Sequence, residues 1–396
     1  MSKNNIGRII IVGAGPGGLT LARILQLKGF EVKIYERESH IDIRSQGGTL
    51  DLHVHSGQYA LKTAELFEDF QAVCRPEGQD TRIIGKSGTI YYEEVVPDKN
   101  YDRPEIDRRD LRQILLRSLK KDTVIQGHNL LNIQSIGNGQ HKLTFDNGVT
   151  DVADLVIGAD GAWSRVRHLV SKEKPQYCGA TMIEAQFTEV DDRHPEISKL
   201  TGRGTMFALS DNKGLFAQRN GGNQIRVYIT LRVPENWITE SGIDFDQPEP
   251  VRTHLLELFS DWDNSLLNLI QVCDANFIPR PLYMLPINQK WETQQGVTLL
   301  GDAAHLMCPF AGEGVNLAML DATELALAIT NSTDLTQSIH EYEQKMFSRA
   351  AESSEESLTN LDLFISPDDS AKKVCDWFKK MMEGAPQNNN ENSVIE

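Results

Sequence analysis

The first forty residues leave few choices of fold. Arg8 to Val12 is a β-branched run, and Gly13-Ala14-Gly15-Pro16-Gly17-Gly18 follows it. Leu19 to Lys28 then reads as a helix, and Val32-Lys33-Ile34-Tyr35 is a second apolar strand ending at Glu36. Strand, G-x-G-x-x-G, helix, strand and acid, with the acid roughly 20 residues beyond the glycines, is what a dinucleotide-binding β-α-β unit requires. Gly13 allows the tight turn, Gly15 lets a pyrophosphate approach the backbone, and Gly18 permits close packing of helix on strand. Glu36 is placed to bond an adenosine ribose. A bare glycine pattern says little, but the whole unit points to an α/β fold that binds a nucleotide.

Two later stretches repeat the theme of a buried strand ending in glycine and acid. One is Leu155-Val156-Ile157-Gly158-Ala159-Asp160-Gly161. The other is Val297-Thr298-Leu299-Leu300-Gly301-Asp302, which continues through Pro309-Phe310-Ala311-Gly312-Glu313-Gly314-Val315-Asn316 into an Ala- and Leu-rich helix from Leu317 to Ile329. Asp302 at a strand end can accept hydrogen bonds from sugar-like hydroxyls. A helix start preceded by Gly312 and Gly314 offers bare N–H groups and favours negative charge there.

Composition excludes several classes. The 396-residue chain is large enough for two domains, and its net charge of -16 disfavours unaided binding to nucleic acid or anionic membrane. No apolar run approaches the ~20 residues of a membrane span. The N-terminus leads straight into a strand, so no signal peptide is expected. The five cysteines are scattered, odd in number and without C-x-x-C spacing, which suggests reduced thiols in cytoplasm and no metal site.

After Glu36 come Arg37 and then Arg44-Ser45-Gln46-Gly47-Gly48-Thr49-Leu50-Asp51-Leu52-His53. An acid–Arg pair followed by R-x-x-G-G-T-L-D-L-H resembles the class A flavoprotein monooxygenases, specifically the tetracycline-inactivating flavin monooxygenases. The resemblance runs to about Phe364. Asp160-Gly161-Ala162-Trp163-Ser164-Arg165-Val166-Arg167 matches their D-G-x-x-S-x-x-R pattern, and Arg108-x-x-Leu111-x-x-x-Leu115 matches their arginine-led helix, with Asp107 as its N-cap. The resemblance implies tightly bound FAD, contacted by Arg37, Asp51, Arg108, Asp160, Asp302, Pro309, Gly312, Gly314, Val315 and Asn316. Arg112, one turn on, shares the face of Arg108. Arg44 lies near the flavin and an incoming nicotinamide, and the helix start at Gly314 steadies negative charge on the ring.

The implied cycle uses NADPH, with NADH left open, and O2 to hydroxylate an electron-rich phenolic or polyketide-like compound. The flavin carries the chemistry, so no side chain is assigned as catalytic, and His305 reads as structural. No second nucleotide fingerprint is present, so the nicotinamide cofactor is expected to bind transiently. Substrate is expected on the sheet of the second domain, at Gln186, Phe216, Arg226 and Tyr228, together with Phe310. The tetracycline-inactivating relatives use a glutamine, an arginine and a histidine there. Here Thr205 stands near the arginine's position and Arg226 and Tyr228 near the histidine's. The rival functions are a flavoprotein reductase or dehydrogenase, and a non-catalytic flavin-holding binder.

The expected architecture is a Rossmann-like FAD domain with an inserted α+β substrate domain built on an antiparallel sheet. Residues 1–172 and 281–332 form the first, and 173–280, with a contribution from 80–106, form the second. Helices from 333–383 bridge the two, 384–396 is a disordered tail, and the protein is expected to be a monomer. Tyr177 to Arg232 reads as strands and turns throughout, and Leu61 to Phe70 as one amphipathic helix. Lys372 to Met382 is amphipathic and is expected to dock on the domains rather than on a membrane.

Overall fold

The computed structural model of the chain describes residues 6–40 and 47–384. Arg44 and the expected tail from 385 onward lie outside the described residues. A five-stranded parallel sheet forms the first layer, in the order Val297–Leu299, Leu155–Gly158, Ile9–Val12, Val32–Tyr35 and Val124–Ile125. Ile9–Val12 and Leu155–Gly158 are buried along their whole length, which is why they read as continuous apolar runs without alternation. The Pro16–Leu27 helix packs on the sheet and against the Gly314–Thr330 helix. Gly18 makes the first contact possible: a Cβ there would stand 2.2 Å from the Gly13 carbonyl oxygen.

The second layer is a seven-stranded sheet, in the order Ile278–Met284, Gln176–Phe187, Gln224–Leu231, Lys213–Asn220, Thr205–Ser210, Thr81–Gly85 and Ile90–Glu94. It is antiparallel except where Thr81–Gly85 runs parallel to Thr205–Ser210. Its last two strands come from early in the chain, ahead of the other five. Asp211 and Asn212, at φ 54° and 61°, make the left-handed two-residue turn that joins two of its strands. Pro279 and Pro281 lie on the edge strand, where a missing N–H costs least.

One face of this sheet carries Ile183, Ala185, Phe187, Leu215, Ala217, Ile225, Val227 and Ile229. It packs on the helices Pro248–Leu258 and Asn264–Gln271 through Leu255, Phe259, Leu266 and Ile270. The opposite face turns toward the parallel-sheet layer. The all-strand reading of Tyr177 to Arg232 needs correction, because Val190–Arg193 and Pro195–Thr201 are helical. Asp191, Asp192 and Glu196 load the first turns of these helices, where the backbone field favours acids. The Leu61 to Phe70 stretch likewise divides into Gly57–Thr63 and Phe67–Gln71, broken at Glu65 with φ 57°.

Leu335–Phe364 is a single 30-residue helix, and Ser354 and Ser357 within it are buried. The last helix, Ser370–Gly384, docks on the seven-stranded sheet through Ala371, Val374 and Cys375, while Phe378 meets Tyr92. No described helix is long and apolar enough to cross a membrane.

Candidate functional site

The glycine motif places two helix starts at one end of the parallel sheet. Gly15 precedes Pro16–Leu27 and Glu313 precedes Gly314–Thr330; neither helix has a side chain capping its first N–H groups. A Cβ at Gly15 or Gly314 would touch nothing within 4 Å. Both starts are therefore open to an anionic ligand, which fits the diphosphate and the electron-poor ring of a flavin nucleotide. Glu36 is buried and holds this end in shape: its carboxylate accepts from the Ala14 N–H at 2.7 Å and the Glu38 N–H at 3.0 Å. Arg37 beside it is exposed, whereas Arg112 is buried and pairs with Glu38 at 3.0 Å.

Arg108 is exposed and lies within 3.5 Å of where a Gly47 Cβ would stand. Asp107 before it is the N-cap residue but caps nothing. Its carboxylate pairs with Arg75 at 2.7 Å and accepts from the Gly221 N–H, joining this helix to the second sheet.

Asp160 accepts from the Ser164 hydroxyl at 2.6 Å and the Arg165 N–H at 2.7 Å, which folds the D-G-x-x-S turn. Burial raises its carboxyl, and those donors work against the rise. Arg167, the last residue of that motif, donates to the Ala303 carbonyl at 2.7 Å and the Asp302 carbonyl at 3.0 Å. It splices the second glycine–acid stretch to the third. Solvent reaches the Asp302 side chain, although protein surrounds it; that enclosure raises its carboxyl against the charges of His305, Arg108 and Arg167. His305 is buried against Asp321 at 2.6 Å, and Asp321 also pairs with Arg349 at 2.8 Å. Burial opposes the charge on His305, but Asp321 outweighs it and raises the imidazole. This is the structural role expected of His305.

Asn316 spends its side chain on the protein. Its side chain is fully buried and committed to protein: Oδ1 accepts from the His53 N–H at 2.9 Å, the Ser56 hydroxyl and the Gly57 N–H at 3.2 Å, and Nδ2 donates to the Asp51 carbonyl at 2.9 Å. It ties the 51–57 loop to the helix start. His53, to which the sequence assigned no role, bridges Asp51 at 3.0 Å and Glu313 at 3.1 Å. Burial would lower its pKa, but the two carboxylates raise it to about 10.

The second sheet supplies the opposite wall. Gln186, Arg226, Tyr228 and Phe216 share one face by register, since Gln186 lies opposite Arg226 and Phe216 opposite Tyr228. The Tyr228 hydroxyl accepts from the Gly48 N–H at 2.8 Å. A Cβ at Gly48 would stand 2.7 Å from Gln218 Oε1, so a second side chain, missed in the sequence, also closes on this loop. Glu184, almost wholly buried, pairs with both Arg226 and Arg280. Phe216 meets Phe207 and Phe310 edge-to-face, with ring centroids 5.3 and 5.9 Å apart, and Phe364 packs against all three. Pro309 and Gly312 join Phe310 in the turn ahead of the Gly314–Thr330 helix, and Val315 lies in the first turn of that helix.

A parallel sheet with two open helix starts, facing an aromatic and polar sheet wall, defines a nucleotide-dependent enzyme of two layers. The chain belongs to the family described as FAD binding domain, which it matches over residues 8–353. It is 30% identical to monooxygenase asqM of Emericella nidulans, over 96% of this chain and 100% of that protein. Its fold is similar to that of Klebsiella pneumoniae HpxO complexed with FAD and uric acid (19% identity, TM-score 0.78, 95% and 92% of the two chains). It is also similar to that of the tetracycline destructase Tet(55) (20% identity, TM-score 0.73, 95% of each chain). The protein is an FAD-dependent monooxygenase.

Proposed function

We propose that this enzyme uses NAD(P)H and O2 to hydroxylate an electron-rich phenolic or enolic polycycle held against the face of the seven-stranded sheet that carries Gln186, Phe216 and Arg226. The observation that carries the reading is the wall itself. Phe207, Phe216, Phe310 and Phe364 form a cluster of edge-to-face rings that makes one part of it apolar. Gln186, Gln218, Arg226 and Arg280 stand on the same face of the sheet, a polar set suited to ring oxygens.

FAD, when bound, supplies the redox and oxygen-transfer chemistry. The protein binds it at Gly15, Glu36, Arg108, Asp160, Asp302 and Gly314. Tyr228 and Gln218 hold the Gly48 loop against the sheet, and the phenylalanine cluster excludes water from one side of the substrate. The nicotinamide cofactor has no fixed cradle of its own in this reading and approaches from the Asp160–Arg167 side. Tetracyclines belong to the substrate class, although Thr205, Arg226 and Tyr228 differ from what the drug-inactivating relatives carry.

The test is consumption of NADPH and NADH by the FAD-loaded protein in air, across phenols, polyketides and tetracyclines, with product mass. A substrate-stimulated rate with gain of one oxygen atom supports the proposal. Anaerobic turnover with an artificial acceptor, and no oxygen in any product, would favour a reductase instead.

A further inference from the structure

His53, Asp51 and Glu313 form a cluster that the proposed chemistry has not yet used. Asp51 ends the strand Thr49–Asp51, His53 follows two residues later, and Glu313 stands at the start of the Gly314–Thr330 helix. Both imidazole nitrogens face carboxylate oxygens, Nε2 toward Asp51 at 3.0 Å and Nδ1 toward Glu313 at 3.1 Å. An ionised carboxylate only accepts hydrogen bonds, and a neutral imidazole has one N–H. Two such contacts therefore require the doubly protonated, cationic ring. Both carboxylates are about three-quarters buried and the ring little less so, which weakens solvent screening of their charges.

The cluster is also fixed relative to the turn. Asn316 holds the His53 N–H and the Asp51 carbonyl, and it reaches the Gly312 carbonyl at 3.4 Å. The Asp51 carboxylate lies 3.7–3.8 Å from where a Gly312 Cβ would stand. With His53 charged, the three side chains sum to one negative charge; without it they sum to two.

We propose that His53 is a positioning residue that sets the reduction potential of the bound FAD by carrying a fixed positive charge between Asp51 and Glu313. The inference rests on the reading that Gly312–Gly314 faces the flavin ring. Reduction adds negative charge to that ring, so the cluster's net charge acts directly on the equilibrium.

The experiment is a spectroelectrochemical titration of the FAD-loaded protein at low ionic strength, with His53→Gln, Glu313→Gln and the double variant. Charge arithmetic fixes the pattern. His53→Gln makes the potential more negative, Glu313→Gln makes it more positive, and the double variant returns near the starting value. Each single change is expected to alter the reduced-to-oxidised ratio at a given potential about tenfold, or about 30 mV for a two-electron couple. A potential that ignores both single substitutions, or a double variant displaced as far as either single one, would overturn the proposal. Should His53→Gln fail to fold, His53→Lys, which keeps the charge, is expected to hold the wild-type potential while His53→Asn lowers it, and equal potentials in those two variants would overturn the proposal. Wild-type protein that holds no FAD would refute the flavin reading itself, which is a separate result.

Discussion

Replacing Asn316 with alanine tests whether the 51–57 loop is held by one side chain. The amide is fully buried and serves three donors and the Asp51 carbonyl at once. Its removal leaves the N–H groups of His53 and Gly57 without their acceptor, while the Ser56 hydroxyl can rotate. An unsatisfied buried group costs about 1–3 kcal/mol. Two such groups, partly relieved by water entering the space, give an expected loss of about 3–4 kcal/mol. The assay is urea unfolding followed by tryptophan fluorescence, together with FAD retention through a desalting column. Asn331→Ala, at the exposed end of the same helix, is the control and is expected to stay within about 0.5 kcal/mol of wild type. An Asn316→Ala protein that loses less than about 1 kcal/mol and keeps its FAD would refute the strut argument.

Further predictions concern buried charge, close packing and the last helix. Burial, reinforced by Asp51, raises the Glu105 carboxyl to about 8. A folded pKa above the unfolded one means stability is full below about pH 4.5 and falls as pH rises toward about 8. Glu105→Gln, which still accepts from Thr49, should flatten that slope in unfolding measured from pH 5 to pH 8.5. Gly18→Ala should abolish soluble FAD-loaded protein, because its Cβ meets a backbone carbonyl that no rotamer change relieves; a yellow, stable variant would contradict this. Val374→Asp places a charge at a fully buried position and should detach the Ser370–Gly384 helix, read as faster limited proteolysis ahead of Ser370.

Much of the nucleotide end was legible because its chemistry is local. Gly13, Gly15, Gly18 and Glu36 act within one β-α-β unit, so spacing along the chain is also spacing in the fold. Asp160 and Asp302 were legible as strand ends for the same reason. The contacts of the seven-stranded sheet were less so. That Tyr228 would reach Gly48, or that Arg226 and Arg280 would share Glu184, depends on strand order and register, and no local pattern encodes either. The parallel pairing of Thr81–Gly85 with Thr205–Ser210 crosses more than a hundred residues and was equally out of reach. The bonds of the Asn316 side chain were equally hidden, because a motif position does not say which way an amide points. His53 was in plain view at the end of G-G-T-L-D-L-H, but its meaning required Glu313, far along the chain and adjacent only in space.

The strand order has a bearing on synthesis. The seven-stranded sheet gains its last strand at Ile278–Met284, whereas the parallel sheet waits for Val297–Leu299 to settle beside Leu155–Gly158. A chain emerging from the ribosome thus has every strand of the seven-stranded sheet before it has every strand of the parallel one. The Gly314 helix start comes later still. The nascent protein cannot complete its parallel sheet until all seven strands of the other sheet have been made. Slow translation between Met284 and Val297 would lengthen that interval, leaving the apolar strand Leu155–Gly158 with one edge unpaired.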